Sequence, residues 1–255
     1  MLLQLLVESL ARQGFRTTVW ELEGAMDDVT VRALVESPVD GVIFATATEE
    51  TRVLLDKLAT EKPLILVNRS VNSGDFDTVV SDNHAGGRLV ARHFLAAGRR
   101  QIGLISTRSA ASTIREREEG FIQALREAAN PVECLRPSRG FDAFTYENGH
   151  RAMRELMAAS PGVDSVFCTN DIVAIGALDA ARSAGRRVPE DLWMVGYDDI
   201  PMARWDCIGL STIRQPLAEM ASRAVNRLQE RIAEPDLAPE TVVLPNDLVV
   251  RRTTA

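Results

Sequence analysis

Short apolar runs that end on polar clusters alternate along this chain with longer stretches whose apolar positions recur at helical spacing. The first kind predicts buried strands and the second amphipathic helices. Strands are expected at 17–22, 42–45, 63–67, 78–80, 101–105, 132–135, 163–168 and 192–195, with two short ones at 241–244 and 248–250. Helices are expected over 2–10, 29–35, 51–58, 85–97, 113–128, 146–158, 172–184 and 216–232. Gly98 and Gly185 stand where left-handed stops belong, and Pro216 stands at a helix start. Alternation of this sort implies an α/β fold with parallel sheets covered by helices on both faces.

The tips of the expected strands carry the chemistry. Val166-Phe167-Cys168 runs into Thr169-Asn170-Asp171, and Leu192 to Val195 runs into Gly196-Tyr197-Asp198-Asp199. Earlier tips end on Asn68-Arg69 and on Ser81-Asp82-Asn83. Ligands of open α/β sheets sit beyond the carboxyl ends of the strands, so Asn170 and Asp198 are expected to face one binding site.

Composition narrows the class. The chain has 255 residues, 45% of them hydrophobic, and a net charge of −7. That length suggests two domains, and that charge argues against nucleic-acid binding by this chain alone, which needs clustered Lys and Arg. The basic pairs Arg99-Arg100, Arg186-Arg187 and Arg251-Arg252 are scattered and read as solvated surface. Cys134, Cys168 and Cys207 share no metal-type spacing, which fits reduced cytosolic thiols and no metal or cofactor. Residues 1–10 lack the pattern of an export signal, and no apolar run is long enough to cross a membrane. No nucleophile elbow, phosphate-binding loop or His-Glu-x-x-His occurs, so a binding protein is expected rather than an enzyme.

Several segments together resemble one family: Asp40-Gly41-Val42-Ile43, Ser81-Asp82-Asn83 with Gly86-Gly87, Arg117-Glu118-Glu119-Gly120-Phe121, Asn170-Asp171 with Ala174 and Gly176, Val188-Pro189, Gly196-Tyr197-Asp198-Asp199, and Leu210-Ser211-Thr212-Ile213 with Gln215-Pro216. In this order they resemble the effector-binding core of the lactose-repressor/galactose-repressor (LacI/GalR) family of bacterial regulators. Sugar-binding proteins of the ribose-binding type share that core. The resemblance implies two Rossmann-like domains of periplasmic-binding-protein-like type I fold, with a ligand cleft between them. The first would take residues 1–106 and 212–237, the second 107–211 and 238–255. Family members carry a helix-turn-helix head and a first core strand ahead of the first helix. The chain begins inside what would be that helix, so the first sheet is expected to lack that strand.

The resemblance also implies ligand positions at Asn68, Arg69, Arg117, Asn170, Asp198 and Gln215, with Phe144 as an apolar platform and Phe141 as its substitute. Asp82 and Thr113 join this set as further polar candidates. Each has a plainer reading: Asn170 and Thr113 as helix caps, Asp82 as a turn residue, Arg117 as one member of a solvated Arg/Glu face, and Phe144 as core. His84 reads as a surface histidine. Planar side chains that grip neighbouring hydroxyls suit a small polyol, a sugar above all. The expected function is therefore the effector-sensing core of a cytoplasmic, homodimeric repressor that meets operator DNA only through a head outside these residues. A transport receptor is the alternative. Segments 51–58 and 85–97, both assigned to the first domain, are the candidate dimer helices.

Overall fold

The computed structural model describes residues 1–21, 28–72, 74–138 and 140–255. The chain separates into two compact units, one of residues 1–81, 110–113 and 216–244, the other of 82–109, 114–215 and 245–255.

The first unit is built on a four-stranded parallel sheet of β1 (Val42–Phe44), β2 (Leu64–Val67), β3 (Asp77–Ser81) and β8 (Thr241–Leu244), in that order. Side chains of β2 alternate between its faces, as strand geometry requires. Ile65 and Val67 join Leu6 of α1 (Leu2–Arg12) and Met220, Ala224 and Leu228 of α8 (Leu217–Ala233). Leu64 and Leu66 face Leu34 of α2 (Asp28–Glu36) and Leu55 and Leu58 of α3 (Arg52–Glu61). Each such buried Leu, Ile, Val or Met side chain contributes about 1.5–3 kcal/mol. Asp77 pins α8 to β3. Its buried carboxylate takes Arg227 Nε at 2.7 Å, Arg231 Nη2 at 2.7 Å and the Glu240 amide at 2.9 Å.

The second unit holds five strands in the order β4 (Ile102–Ile105), β5 (Ser165–Cys168), β6 (Trp193–Tyr197), β7 (Ser211–Arg214) and β9 (Asp247–Val249). Neighbours from β4 to β7 pair in parallel, and β9 runs antiparallel to β7. One face packs α4 (Asn83–Ala96) and α5 (Ser112–Arg126) through Phe94, Phe121 and Leu125. The other packs α6 (Tyr146–Ala159) and α7 (Asp171–Ser183) through Met153, Leu156, Val173 and Ala177. The helices on each face touch at glycines: a methyl group added at Gly176 would overlap the Tyr146 carbonyl oxygen, and one at Gly87 the Arg117 carbonyl.

Several expectations need correction. β4 pairs with β5, so 102–105 belongs to the second sheet although the expected first domain ran to 106. β7 likewise belongs to the second sheet, and β8 to the first through β3. The helix expected at 85–97 as a dimer candidate of the first domain is α4 of the second unit. Residues 17–21 have no regular structure, and Leu22 lies outside the described residues. The segment 132–135, expected as a strand, makes one parallel bridge, Leu135 with Gly103.

Candidate functional site

The tips of β5, β6 and β7 bring Asn170, Asp198 and Gln215 together in the second unit. Asn170 follows the β5 tip and is the N-cap of α7, so its plainer reading holds. Its Oδ1 accepts from the Ile172 amide at 2.9 Å, while Nδ2 donates to Asp198 Oδ2 at 2.6 Å. Gln215 Nε2 donates to Asp198 Oδ1 at 2.8 Å, and Arg117 Nη2 lies 3.2 Å from the same oxygen.

Arg117 is not part of a solvated Arg/Glu face. The residue is 4% exposed, and its other nitrogens donate to Asn83 Oδ1 at 2.9 Å and to the Thr169 carbonyl at 2.8 Å. Its guanidinium carbon stands 3.7 Å from the centroid of the Tyr197 ring. The phenol of Tyr197 in turn accepts from Asn246 Nδ2 at 2.8 Å. A planar cation is thus held by one ring face and three hydrogen-bonding partners, an arrangement that suits arginine and not lysine.

Every group bonded to Asp198 donates, so its carboxyl acts as an acceptor throughout. Burial pushes it above the ordinary carboxylate range, with Arg117, Gln215 and Asn170 pulling the other way. A carboxylate offers about four lone-pair sites. Three are filled here, which leaves one on Oδ2 for an incoming hydroxyl. The Asp198 side chain is 20% exposed, so that site is reachable.

Asp198 and Asp199 both adopt positive φ, 107° and 46°. Such backbone costs about 1–3 kcal/mol per residue and persists where the surroundings overdetermine it. Behind the tip, Asp171 is fully buried. Its Oδ1 accepts from Thr212 Oγ1 at 2.6 Å and its Oδ2 from the Ile200 amide at 2.9 Å. Burial, then the Asp198 charge, push Asp171 well above the usual carboxylate range.

The remaining candidates fall elsewhere. Asp82 is the N-cap of α4, its Oδ1 accepting from the Ala85 amide at 2.7 Å, so its plainer reading holds. Thr113 is not a cap: it lies inside the first turn of α5, is buried, and groups with the first unit. Phe144 is half-buried and packs against the α6–α7 core, with Phe141 fully inside that core. In the first unit, Asn68 and Arg69 close the β2 tip, half-buried, Asn68 with a φ of 70° and its amide bonded to the Val79 carbonyl at 2.9 Å. His84 Nε2 contacts Gln123 at the surface. Tyr197 and Asn246 are site residues that the sequence pattern does not single out, whereas Asn83 lies in the Ser81-Asp82-Asn83 tip that it does. The aromatic in the Gly-Tyr-Asp-Asp tip was the one local signal, and Asn246 lies 49 positions from Tyr197. Among the described residues no cluster of His, Cys, Asp and Glu could hold a metal ion.

Residues 91–254 match the periplasmic binding protein-like domain. The chain is 31% identical to the HTH-type transcriptional repressor PurR of Mannheimia succiniciproducens over 250 residues, 96% of this chain and 74% of that protein. The chain belongs to the LacI/GalR family. Solved LacI-type structures agree. The transcriptional regulator CelR in complex with cellobiose gives a TM-score of 0.85 at 27% identity, covering 99% of this chain and 77% of that one. A LacI family regulator from Enterococcus faecium with bound ribose gives 0.82 at 28%, covering 100% and 92%. These LacI/GalR relatives are regulators, and the chain is the effector-binding core of such a regulator rather than an enzyme. No helix among its described residues is long and apolar enough to cross a membrane.

Proposed function

We propose that this LacI/GalR core binds a small neutral polyol, a pentose or hexose, through Arg117, Asn170, Asp198 and Gln215 on the second unit, with Phe144 as the apolar platform. One observation carries the reading: three donors converge on the Asp198 carboxylate at the strand tips and leave one acceptor position open. Ribose and cellobiose in two regulators of the same fold support the sugar class. The effector acts by its differential affinity for two arrangements of the protein, which shifts operator affinity. Operator contact is assigned to a helix-turn-helix head outside these 255 residues, and the setting is the cytoplasm.

A homodimer belongs to the same proposal, since a two-fold operator needs a two-fold reader. On the α6–α7 flank, Tyr146, Ile175 and Ile208 line an open depression beside Asp179 and Arg182. Opposite charges next to apolar groups are what a two-fold contact can pair with themselves.

Calorimetry and thermal shift with D-ribose, D-glucose, cellobiose, sugar phosphates and purines test the ligand class, because a ligand stabilises by RT ln(1 + [L]/Kd). A sugar is expected to bind, and Asp198→Asn to weaken it by about 1.5–3 kcal/mol, the range for bonds to charged groups. Binding confined to purines or sugar phosphates, or an Asp198→Asn variant that binds the sugar like the parent, overturns the reading.

A further inference from the structure

Asp199 sits one residue beyond the proposed effector ligand and takes part in none of its hydrogen bonds. It is 4% exposed, and both its oxygens are taken: Arg214 Nε lies 2.7 Å from Oδ2, and Arg251 Nη2 lies 2.6 Å from Oδ1. Its amide reaches Thr212 Oγ1 at 3.4 Å. The next amide, Ile200, is the one held by buried Asp171. The two consecutive positive φ angles at Asp198 and Asp199 are thus bracketed on the far side by fixed groups.

One of those groups is remote in sequence. Arg251 also donates through Nη1 to the Leu210 carbonyl at 2.8 Å, and its amide donates to Ser211 Oγ at 2.8 Å. The tail it belongs to is laced into the sheet. Thr253 Oγ1 donates to the Met194 carbonyl at 2.7 Å and accepts from the Ser211 amide at 2.8 Å, and the Met194 amide donates to the Thr253 carbonyl at 3.1 Å. Thr253 and Thr254 are buried. The guanidinium of Arg251 therefore projects from an anchored base.

We propose that Asp199 is a positioning residue for the effector site: clamped by Arg214 and by Arg251 of the C-terminal tail, it holds the strained β6 tip in the one conformation that presents Asp198 to ligand. The inference rests on the reading of Asp198 as an effector ligand. A carboxylate held by two guanidiniums at a left-handed residue fixes backbone direction, because charge-assisted bonds are short and directional. The tail thereby serves the ligand site as well as the sheet.

The test uses the full chain with D-ribose as the probe, in the parent and in Asp199→Asn, Arg251→Met, Arg251→Lys and Arg214→Met. Amide hydrogen exchange is followed residue by residue without ligand, and ribose affinity by calorimetry. In Asp199→Asn and Arg251→Met the Asp198 and Ile200 amides are expected to exchange at least tenfold faster, while β5 and α6 keep their parent rates, and ribose affinity is expected to fall about tenfold. Arg251→Lys retains a charged donor and is expected to restore most of both. Arg214 is half-exposed, so Arg214→Met keeps the fold if Arg251→Met does not, and a smaller change of the same sign is expected from it. Unchanged exchange at the tip overturns the proposal. So does faster exchange spread equally over β5 and α6, or a loosened tip with unaltered ribose affinity. If the parent itself binds no ribose, it is the pentose reading that loses support, and the ligand-free exchange rates still decide whether the clamp fixes the tip.

Discussion

The guanidinium carbon of Arg117 lies 3.7 Å from the centroid of the Tyr197 ring, and the same side chain reaches Asp198, the residue next to Tyr197. The strand tip thus supplies both the surface on which the cation rests and the carboxylate it faces. The aromatic face adds up to about 2 kcal/mol when the cation is desolvated. Its larger effect is geometric, because a planar fork lying on a ring has few directions left in which to point.

Arg117→Lys keeps the charge and loses the plane. Asn83 Oδ1 and the Thr169 carbonyl would each lose a donor in a buried setting. Stability to denaturant is expected to fall by about 1–3 kcal/mol, the cost of leaving buried polar groups unmade. Effector affinity is expected to fall by tenfold or more. Parallel denaturation and calorimetry check both, and a variant that melts and binds like the parent would show the stacking to be incidental.

The direction of the Asp198 shift sets a pH dependence. Burial raises its carboxyl above the ordinary range despite Arg117, so it takes up a proton at a higher pH than an exposed aspartate does. Once protonated, it has lost acceptor capacity toward its donors and toward ligand. Effector affinity is expected to be flat near neutrality and to fall as pH drops through a value above about 4, the ordinary aspartate range. Asp198→Asn should lack that acid limb. For stability the sign is opposite: the raised values of Asp198 and Asp171 mean that their burial weighs against the fold increasingly as pH rises from about 4 through their folded values. Affinity titrations across about pH 4–8 check the first claim, and a parent with flat affinity over that range while still folded would refute it.

Gly176→Ala places a methyl group against the Tyr146 carbonyl oxygen, a backbone atom that cannot swing aside. Helices α6 and α7 must separate, and overpacking of this kind costs about 1–3 kcal/mol. Gly98→Ala meets open space but has a φ of 77°, so its cost comes from backbone strain alone. Urea titration of the two variants is expected to rank Gly176→Ala as the more damaging.

Local pattern carried most of the secondary structure. Helix α7 and strand β6 were legible because helical spacing, an N-cap and a glycine stop all agreed over 170–185. The segment 132–135, interrupted by Glu133, is expected as a strand, but only Leu135 finds a partner to pair with. Unit boundaries went wrong for a similar reason: nothing local in residues 102–105 or 241–244 tells which sheet they will join. In the site, Asn170 and Asp198 were legible from the strand-tip rule. The burial of Arg117 was not, since it sits among glutamates on α5 and its partner Asn83 lies 34 positions away. The Asp199 clamp was hidden further, with Arg251 at a separation of 52.

Asn170 spends its oxygen on the Ile172 amide at the head of α7, and that settles which way round its amide lies. Turning the group over would set a nitrogen against an N–H and an oxygen against the Asp198 carboxylate, two repulsions exchanged for two attractions. The side chain can therefore present only hydrogens toward the β6 tip. At the Asn170 amide itself a ligand atom that is solely a donor finds no acceptor and must turn to the free lone pair of Asp198, whereas one carrying lone pairs can take the remaining Asn170 hydrogen. A choice between ligands is thus written into the start of a helix, before any ligand arrives.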